Sequence, residues 1–245
     1  MKLGVWLATA NTAVIEMAKD LRADFAVFDL EHGIFDPTAL DALVGFAAAL
    51  GVLPVVKAGA PEGRFVMEAL DRGAAAVLIP QVRDYGHARD VTAYAKYPPL
   101  GCRGASGGRV FGYRPASASF YRVEDTRKPC YVMIETAGAL EDVEAIAALP
   151  TVDGLFVGPT DLALSRGRPA YEQSPADFAD IVRIAAAARA AGKPWIFPAW
   201  SEAEQRFACD HGASMMVVTN EHGALKAGLQ AGLDSARQRL EAVGA

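Results

Sequence analysis

Eight short apolar runs, rich in β-branched and aromatic residues, recur along the chain and alternate with segments of helical pattern. They lie at about 2–8, 25–30, 53–58, 75–80, 130–135, 154–158, 194–199 and 215–219. Uninterrupted apolar runs of this length are typical of strands buried on both faces, as in a parallel sheet covered by helices. Eight βα units within 245 residues predict a (β/α)8 barrel, with residues 1–245 forming a single domain.

Helical patterns fill most of the gaps between these runs. Five helices are expected: one capped by Thr12, one from Pro37 to Leu50, one from Pro61 to a stop at Gly73, one from Ala176 to Ala191, and a last one at about 222–242. Prolines in a first turn and glycines just past a last turn are the usual signals for helix ends. This alternation of strand and helix favours a parallel α/β fold.

A doubly wound open sheet is the alternative fold for such an alternation. It would require a glycine-rich phosphate-binding turn after the first strand. Residues 8–11 read Ala-Thr-Ala-Asn at that place, and no G-x-G-x-x-G motif occurs in the chain. The barrel is therefore the preferred prediction, with residues 97–129 as a long, glycine- and arginine-containing insertion after strand four.

Composition excludes several classes of protein. The net charge is −5 and the sequence pI is near 5.4, which argues against a nucleic-acid or anionic-membrane surface. The basic residues are scattered, and no apolar run approaches the roughly 20 residues of a membrane helix. The three cysteines lack metal-ligand spacing and are expected to be reduced thiols. We expect a cytoplasmic protein without a leader peptide, because residues 1–6 resemble a first strand.

Charged side chains stand at or just past the C-terminal ends of several predicted strands. Glu31 and His32 follow the second strand, Glu135 closes the fifth, and Asp161 follows the sixth. In a parallel barrel these strand ends meet at the active face. We interpret Glu135 and Asp161 as ligands of a divalent metal such as Mg²⁺, and His32 as an acid/base. The alternative is that Glu135 caps the next helix and Asp161 occupies a turn.

Further polar residues are predicted at the same face. Lys57 ends strand three, where it could polarise a carbonyl, form a Schiff base with a substrate, or be a surface lysine. Asp29 or Asp71 is placed to orient the imidazole of His32. The chain positions suggest further pocket residues, among them Gln81 as a hydrogen-bond donor and, as lining residues, Trp6, Phe197, Trp200 and Thr219. Core packing is the alternative for the aromatic residues.

Over nearly its whole length the chain resembles the HpcH/HpaI aldolases, the class II, metal-dependent pyruvate aldolases. The motifs that carry the resemblance are Gly4-Val5-Trp6-Leu7, Asp29-Leu30-Glu31-His32, Leu70-Asp71-Arg72-Gly73, Tyr97-Pro98-Pro99-Leu100-Gly101-Cys102-Arg103-Gly104, Ile134-Glu135-Thr136 and Val157-Gly158-Pro159-Thr160-Asp161-Leu162. The last motif, together with the preceding glutamate, is the most specific of them. The family fold is a (β/α)8 barrel, in agreement with the strand count.

The resemblance implies a reaction and roles for the motif residues. It implies reversible cleavage of a 4-hydroxy-2-oxo acid to an aldehyde and a pyruvate enolate on a divalent ion, Mg²⁺, Mn²⁺ or Co²⁺. Glu135 and Asp161 resemble the metal ligands, and His32 with Asp71 resembles the catalytic pair. The backbone of Gly158, Pro159 and Thr160 is expected to bind the pyruvate carboxylate. The family also implies a homo-oligomer, trimeric or hexameric, in which the C-terminal helix at about 222–242 is exchanged between subunits.

Two positions depart from the family pattern. Lys57 stands where the family usually has an arginine that polarises the keto oxygen, and Met133 stands where it often has a glutamine. Lysine is a point charge without the planar guanidinium fork, so the exchange changes the chemistry of the site. Arg64 and Arg103 are candidates to compensate. Two alternatives stay open: a lyase of the citrate-lyase-β or malyl-CoA type, and a catalytically weak barrel that serves as a binding protein.

Overall fold

The computed structural model describes residues 1–117 and 119–244 of the chain. Its eight strands pair in parallel and in sequence order, and β8 pairs with β1 to close a barrel. The strands are β1 (Lys2–Leu7), β2 (Phe25–Asp29), β3 (Leu53–Lys57), β4 (Ala76–Ile79), β5 (Cys130–Ile134), β6 (Gly154–Val157), β7 (Trp195–Pro198) and β8 (Met215–Asn220). The predicted (β/α)8 barrel and all eight predicted strands are confirmed.

Helices connect these strands and cover the outside of the barrel. They are α1 (Thr12–Asp20), α2 (Pro37–Leu50), α3 (Gly63–Asp71), α4 (Tyr85–Thr92), α5 (Phe120–Arg127), α6 (Ala137–Glu141), α7 (Val143–Ala148), α8 (Pro159–Ser165), α9 (Pro175–Ala190), α10 (Glu202–Asp210) and α11 (Glu221–Gly244). The outer core between strands and helices is built from Leu, Val, Ile and Ala side chains that exclude solvent.

Helix boundaries agree with the sequence prediction most closely where proline and glycine mark them. Helix α2 runs from Pro37 to Leu50, and Gly51 ends it with φ +80°, a left-handed conformation that glycine adopts without strain. The predicted cap at Thr12 is wrong, because the side chain of Asn11 accepts the N–H of Ala13 and Thr12 lies inside α1.

Alternate residues of the strands point into the barrel and fill it with a second, separate cluster. This interior cluster contains Phe25, Val27, Val55, Ala76, Leu78, Tyr131, Met133, Phe156, Ile196, Met215 and Val217. The barrel is therefore a packed core below its C-terminal mouth, which is the usual arrangement in this fold. Within the barrel itself, space for a site lies above the uppermost interior layer.

The predicted insertion after strand four is confirmed. Between β4 and β5 the chain forms α4, two short 3₁₀ turns and α5, with the turns at Ala93–Ala95 and Arg109–Phe111. Arg109 anchors the second turn, because its guanidinium donates to the backbone carbonyls of Asp41 and Arg72 and pairs with the carboxylate of Asp41. The insertion is thus fixed against the α2–α3 side of the barrel.

None of the helices within residues 1–117 and 119–244 is both long and apolar enough to cross a membrane. Cys102, Cys130 and Cys209 are all free thiols. Burial raises the pKa of the Cys130 thiol to about 12, so this residue belongs to the core and stays protonated.

Candidate active site

On three of the strands, the row of side chains that points into the barrel ends in a charged residue at the C-terminal mouth. Phe25 and Val27 of β2 are followed by Asp29, Val55 of β3 by Lys57, and Met133 of β5 by Glu135 (the residue after that strand). Side chains of a strand alternate between its two faces, so these three groups must point towards the barrel axis. Asp29 lies directly opposite Lys57 in the β2–β3 register.

These groups surround a cavity of about 260 Å³ at the mouth of the barrel. Its walls are formed by Trp6, Asp29, His32, Lys57, Met133, Glu135, Phe156, Val157, Gly158, Pro159, Thr160, Asp161, Pro198, Trp200 and Asn220. The cavity therefore combines three carboxylates, a lysine and an imidazole with an apolar wall that includes three large aromatic rings. Concave sites of this mixed character are the usual sites of ligand binding.

Asp29 organises the turn that carries Glu31 and His32. One carboxylate oxygen accepts the backbone N–H groups of Glu31 and His32, at 3.0 and 3.1 Å. The other accepts the indole N–H of Trp6 at 3.1 Å. Gly33 closes the turn, and a Cβ there would lie 2.2 Å from the carbonyl oxygen of Asp29. Only glycine fits this approach, so the turn geometry depends on both residues.

Lys57 is buried and pairs with the acidic residues of β2 and its turn. Its Nζ lies 2.6 Å from Oε2 of Glu31 and 3.5 Å from Oδ1 of Asp29. The ammonium also lies 5.5 Å from the ring centroid of Trp6, within cation–π range. Lys57 thus lines the cavity as predicted, with its ammonium ion-paired to Glu31.

Glu135 is almost completely buried at the base of the cavity. Its Oε1 accepts the backbone N–H of Gln81, which has φ +50°. Burial raises the pKa of Glu135 to about 7, with the neighbouring Asp161 and Glu31 carboxylates acting in the same direction and Gln81 and Lys57 opposing them. A buried carboxylate of this kind is stabilised in its charged form by a bound cation.

Gly158 makes room for the Glu135 carboxylate. A Cβ at Gly158 would lie 2.6 Å from both Cβ and Oε2 of Glu135, so a larger residue would displace the acid. Asp161 stands in the first turn of α8 and lines the same cavity. The two predicted ligand carboxylates are therefore on neighbouring strand ends and face one cavity.

His32 and Asp71, which the sequence analysis pairs with each other, contact different residues in the structure. The imidazole of His32 is largely exposed at the cavity rim, and its Nε2 lies 3.4 Å from Oε2 of Glu31. Asp71 accepts a hydrogen bond at 2.8 Å from Arg103, whose guanidinium is buried over the ring of Tyr97. Within residues 1–117 and 119–244 no hydrogen bond joins His32 to Asp71, and their functional pairing stays a prediction.

The remaining predicted positions are distributed as follows. Trp6, Gly158, Pro159, Thr160 and Trp200 line the cavity. Gln81 contributes its backbone N–H to Glu135 and is not one of the lining residues. Phe197 is packed in the outer core, and Asn220 takes the place expected for Thr219. Neither Arg64 nor Arg103 lines the cavity, so neither takes the position of the family arginine.

Sequence reasoning missed Phe156, Val157, Pro198 and Asn220 as lining residues, and it gave Glu31 no role of its own. Strand alternation was the available signal for Phe156, since it lies on the same face as the interior cluster. Glu31 was visible as part of the Glu31-His32 pair, but its contact with Lys57 depends on the turn that Asp29 holds. Alternation along β8 favours Thr219, whereas Asn220 lines the cavity, beyond a register irregularity in the β1–β8 pairing that the sequence does not reveal.

A closed (β/α)8 barrel whose C-terminal mouth holds paired carboxylates, a lysine and an imidazole defines a barrel enzyme. The chain belongs to the HpcH/HpaI aldolase/citrate lyase family, whose sequence model matches residues 2–216. This is a family of carbon–carbon lyases, and it is typically dependent on a divalent metal ion.

A relative found by sequence and two solved structures agree with this family membership. The 5-keto-4-deoxy-D-glucarate aldolase of Salmonella arizonae is 34% identical over 237 residues, covering 94% of this chain and 90% of that protein. The HpcH/HpaI aldolase structure from Desulfitobacterium hafniense DCB-2 superposes with a TM-score of 0.89 at 26% identity, covering 96% of this chain and 92% of the other. The structure of the HpcH/HpaI aldolase/citrate lyase family protein from Burkholderia cenocepacia J2315 superposes with a TM-score of 0.87 at 27% identity, covering 96% of this chain and 94% of the other.

Proposed function

We propose that the protein reversibly cleaves a 4-hydroxy-2-oxo acid to pyruvate, or a related 2-oxo acid, and an aldehyde. The observation that carries the proposal is the placement of Glu135 and Asp161 on one cavity, with Lys57 and His32 beside them. In the cleavage direction the C4 hydroxyl loses its proton and the C3–C4 bond breaks. Its electron pair forms the enolate of the 2-oxo acid, which then takes a proton at C3.

The two carboxylates fit a hard divalent cation. Oxygen ligands are the ones that Mg²⁺ and Mn²⁺ prefer, and the space left by Gly158 lets Glu135 face the cavity. Within residues 1–117 and 119–244 no group of three or more His, Cys, Asp or Glu side chains is arranged as a metal site. Glu135 and Asp161 would hold the ion at the cavity. The ion would supply Lewis acidity at the developing enolate.

The chain's own residues account for the other requirements of the reaction. His32, at the exposed rim, moves the proton of the C4 hydroxyl directly or through a water. Lys57 provides positive charge near the developing enolate oxygen. The first N–H groups of a helix have no partner inside it. The N–H of Gly158 already donates to the carbonyl of Ile134 and Pro159 has none, so the N–H groups of Thr160 and Asp161 are the ones that can bind the pyruvate carboxylate.

Pyruvate release tests the proposal directly. Purified protein is assayed with racemic 4-hydroxy-2-oxo acids of several chain lengths, coupled to lactate dehydrogenase, before and after treatment with EDTA. We expect activity that EDTA abolishes and that Mg²⁺, Mn²⁺ or Co²⁺ restores. Glu135→Gln and Asp161→Asn should each weaken Mn²⁺ binding at least tenfold by isothermal titration calorimetry, because each removes a charged oxygen ligand.

Asp20→Asn serves as the matched control, since it removes the same charge from the exposed end of α1. It should leave both Mn²⁺ affinity and turnover unchanged. Full activity in EDTA would contradict the proposal. In that case borohydride trapping with pyruvate would test for a Schiff base on Lys57, the alternative chemistry open to a buried lysine.

A further inference from the structure

We infer that Asn220 binds the aldehyde half of the substrate, by donating an N–H of its side-chain amide to a hydroxyl on the first or second carbon beyond the reacting carbonyl. The aldehyde that this site selects is therefore a hydroxyaldehyde and not a plain alkyl aldehyde. The inference rests on the proposed function and names a specificity-determining residue of the same cavity.

The pairing of β8 with β1 turns Asn220 towards the cavity. Val217 belongs to the interior cluster, and simple alternation along β8 would next place Thr219 inside. The register shifts instead, so that Val218 has no partner on β1 and Asn220 lies opposite Trp6. Trp6 packs against the interior cluster and lines the cavity, and Asn220 lines it too. Irregular pairing at the rim of a barrel commonly re-aims a side chain in this way.

One end of the Asn220 amide is already engaged, which identifies the end that is available. Its Oδ1 accepts the backbone N–H of Gly223, in the first turn of α11, at 2.7 Å. A side-chain amide has an acceptor oxygen and a donor nitrogen, so this bond assigns which end is which. Within residues 1–117 and 119–244 no group accepts a hydrogen bond from Nδ2. Asn220 therefore brings an unused donor to the cavity wall.

The backbone on both sides of Asn220 is fixed, so the donor is held in position. On one side, Asn220 is the last residue of β8 and pairs with β1. On the other, the carboxylate of Glu221 accepts the backbone N–H groups of Ala8 and Thr9 and the hydroxyl of Thr9. A polar group held in this way can select a ligand, because little freedom is lost when the ligand binds.

Strand order places Asn220 away from the groups proposed for the 2-oxo acid half. Glu135 and Asp161 follow β5 and β6, and Lys57 ends β3. In this closed barrel β8 and β1 lie opposite β4 and β5. The part of the mouth left for the aldehyde half is bordered by β7, β8 and β1. His32, which moves the proton of the C4 hydroxyl, follows β2 and so adjoins this part.

The neighbours of Asn220 on this side of the mouth are apolar or already paired. Trp6, Pro198 and Trp200 line the cavity there. Pro198 has no donor, and the indole N–H of Trp6 is donated to Asp29. A hydroxyl that leaves water for such a wall loses its hydrogen bonds, which is costly unless the protein replaces them. The Asn220 amide supplies that replacement.

The assignment does not follow from family membership. Asn220 is in none of the motifs that carry the resemblance, and it lies beyond residues 2–216, which the family model matches. The argument depends on the register of this chain's own β8 and on the hydrogen bond to Gly223.

The test compares aldehydes in which a hydroxyl replaces a methyl group, glycolaldehyde with propanal and 3-hydroxypropanal with butanal. Each is condensed with pyruvate at saturating Mn²⁺, and kcat/KM is measured from the loss of pyruvate. A hydroxyl also changes the intrinsic reactivity of the carbonyl, so the quantity compared is the hydroxy-to-alkyl ratio of a variant relative to that of the wild type. Asn220→Ser removes the amide nitrogen and keeps an oxygen that can cap α11. It should lower the ratio about three- to tenfold in at least one pair, the contribution of one neutral hydrogen bond.

Asn11→Ser is the matched control. The Asn11 side chain accepts the N–H of Ala13 at the start of α1, as Asn220 does at α11, but Asn11 does not line the cavity. This control should leave both ratios unchanged. Asn220→Leu is nearly isosteric and removes both ends of the amide, and it should lower the ratio as Asn220→Ser does. Ratios unaltered in the Asn220 variants, or lowered equally by Asn11→Ser, would overturn the inference.

Deuterium exchange of the pyruvate methyl group, followed by NMR, separates this inference from the proposed function. The exchange requires enolate formation and no aldehyde. Exchange and aldol product in the wild type, together with unaltered ratios in the Asn220 variants, reject the inference and leave the proposed function standing. Absence of both exchange and aldol product rejects the proposed function, and the inference with it.

Discussion

At the scale of single residues, the site depends on Asp29 as much as on the predicted ligands. Its two oxygens bind the Trp6 indole and the turn that carries Glu31 and His32. The same carboxylate lies 3.5 Å from Lys57. Asp29 therefore positions an acid, a base and an aromatic wall together. Groups that hold reactive side chains in place in this way are often as important as the reactive groups themselves.

His32 is expected to act on the substrate proton and not on the metal. His32→Ala should lower kcat by roughly 10²–10⁴-fold, the usual contribution of a positioned acid/base. Mn²⁺ affinity, measured by calorimetry, should change less than threefold, because the imidazole lies at the rim. His32→Gln keeps a hydrogen-bonding side chain without the titrating group and should be nearly as slow. A collapse of metal binding in either variant would identify His32 as a ligand.

Lys57 is expected to have both a structural and a catalytic role, and paired variants separate them. Lys57→Met leaves the buried Glu31 oxygen without its counter-charge and should lower the free energy of unfolding by up to about 3 kcal/mol. The double variant Lys57→Met, Glu31→Gln should recover much of that stability in urea unfolding. It should not recover turnover, because the positive charge beside the enolate is still missing.

Lys57→Arg is the control, since it keeps the charge and restores the residue usual in the family. It should retain measurable pyruvate release. Equal turnover in Lys57→Met and wild type would show that the ammonium does not contribute to the reaction.

The types and approximate places of the site residues were predictable from sequence, whereas their partners were not. Glu135, Asp161 and Lys57 follow apolar strands, and the barrel geometry alone brings them to one mouth. The partner of Asp71 is Arg103, which lies in the insertion, 32 residues further along the chain. Sequence spacing carries no information about such a contact, because it depends on how the insertion folds back.

At the scale of elements, strands were easier to predict than the ends of helices. Each strand is buried on both faces and reads as an unbroken apolar run, a signal that does not depend on its neighbours. Helix α2 was equally clear, because Pro37 and Gly51 mark its ends. Helix α1 begins after Asn11 and not with a cap at Thr12, since either residue type can cap and only the backbone decides.

The start of α9 shows how a helix end fixes the loop that precedes it. Ser174 and Asp177 form a capping box in which each side chain accepts the other's backbone N–H. Asp177 also pairs with Arg168 at 2.7 Å and accepts the N–H of Glu172. Burial opposes ionisation of Asp177, but the hydrogen bonds from Ser174 and Glu172 and the charge of Arg168 outweigh it and lower its pKa. The carboxylate is therefore more stable in the folded chain than in the unfolded one.

This lowered pKa predicts how stability depends on pH. The contribution of Asp177 is fully present above the pKa of an unfolded aspartate, about 3.9, and is lost as the pH falls through the lower folded value. Asp177→Asn should cost about 1–2 kcal/mol in urea unfolding at pH 7. The difference from wild type should shrink below about pH 3.9. Asp20→Asn, on an exposed helix end, should show no comparable loss, and a cost that stays constant with pH would contradict the assignment.

At the scale of the whole molecule, α11 is a long helix that leaves most of its residues exposed. It begins at Glu221, whose carboxylate accepts the backbone N–H groups of Ala8 and Thr9 and the hydroxyl of Thr9. From there it extends to Gly244 with a row of leucines exposed to solvent. Leu225, Leu229 and Leu233 are 61%, 60% and 54% exposed. A stripe spaced by four residues on a helix is typical of a surface that packs against another element.

We expect this stripe to be buried in the homo-oligomer that the family resemblance implies, whether or not the helix is exchanged. The double variant Leu229→Glu, Leu233→Glu places two charges on the stripe and should dissociate the assembly to the 25.9 kDa chain. Light scattering after size exclusion measures the mass. The control Ser235→Glu, Gln238→Glu adds the same charge on other faces of α11, since 100° separates successive residues of a helix. It should leave the mass of the oligomer unchanged. A wild-type protein that is monomeric at micromolar concentration, or a double variant that assembles as wild type does, would show that the leucines are not an interface.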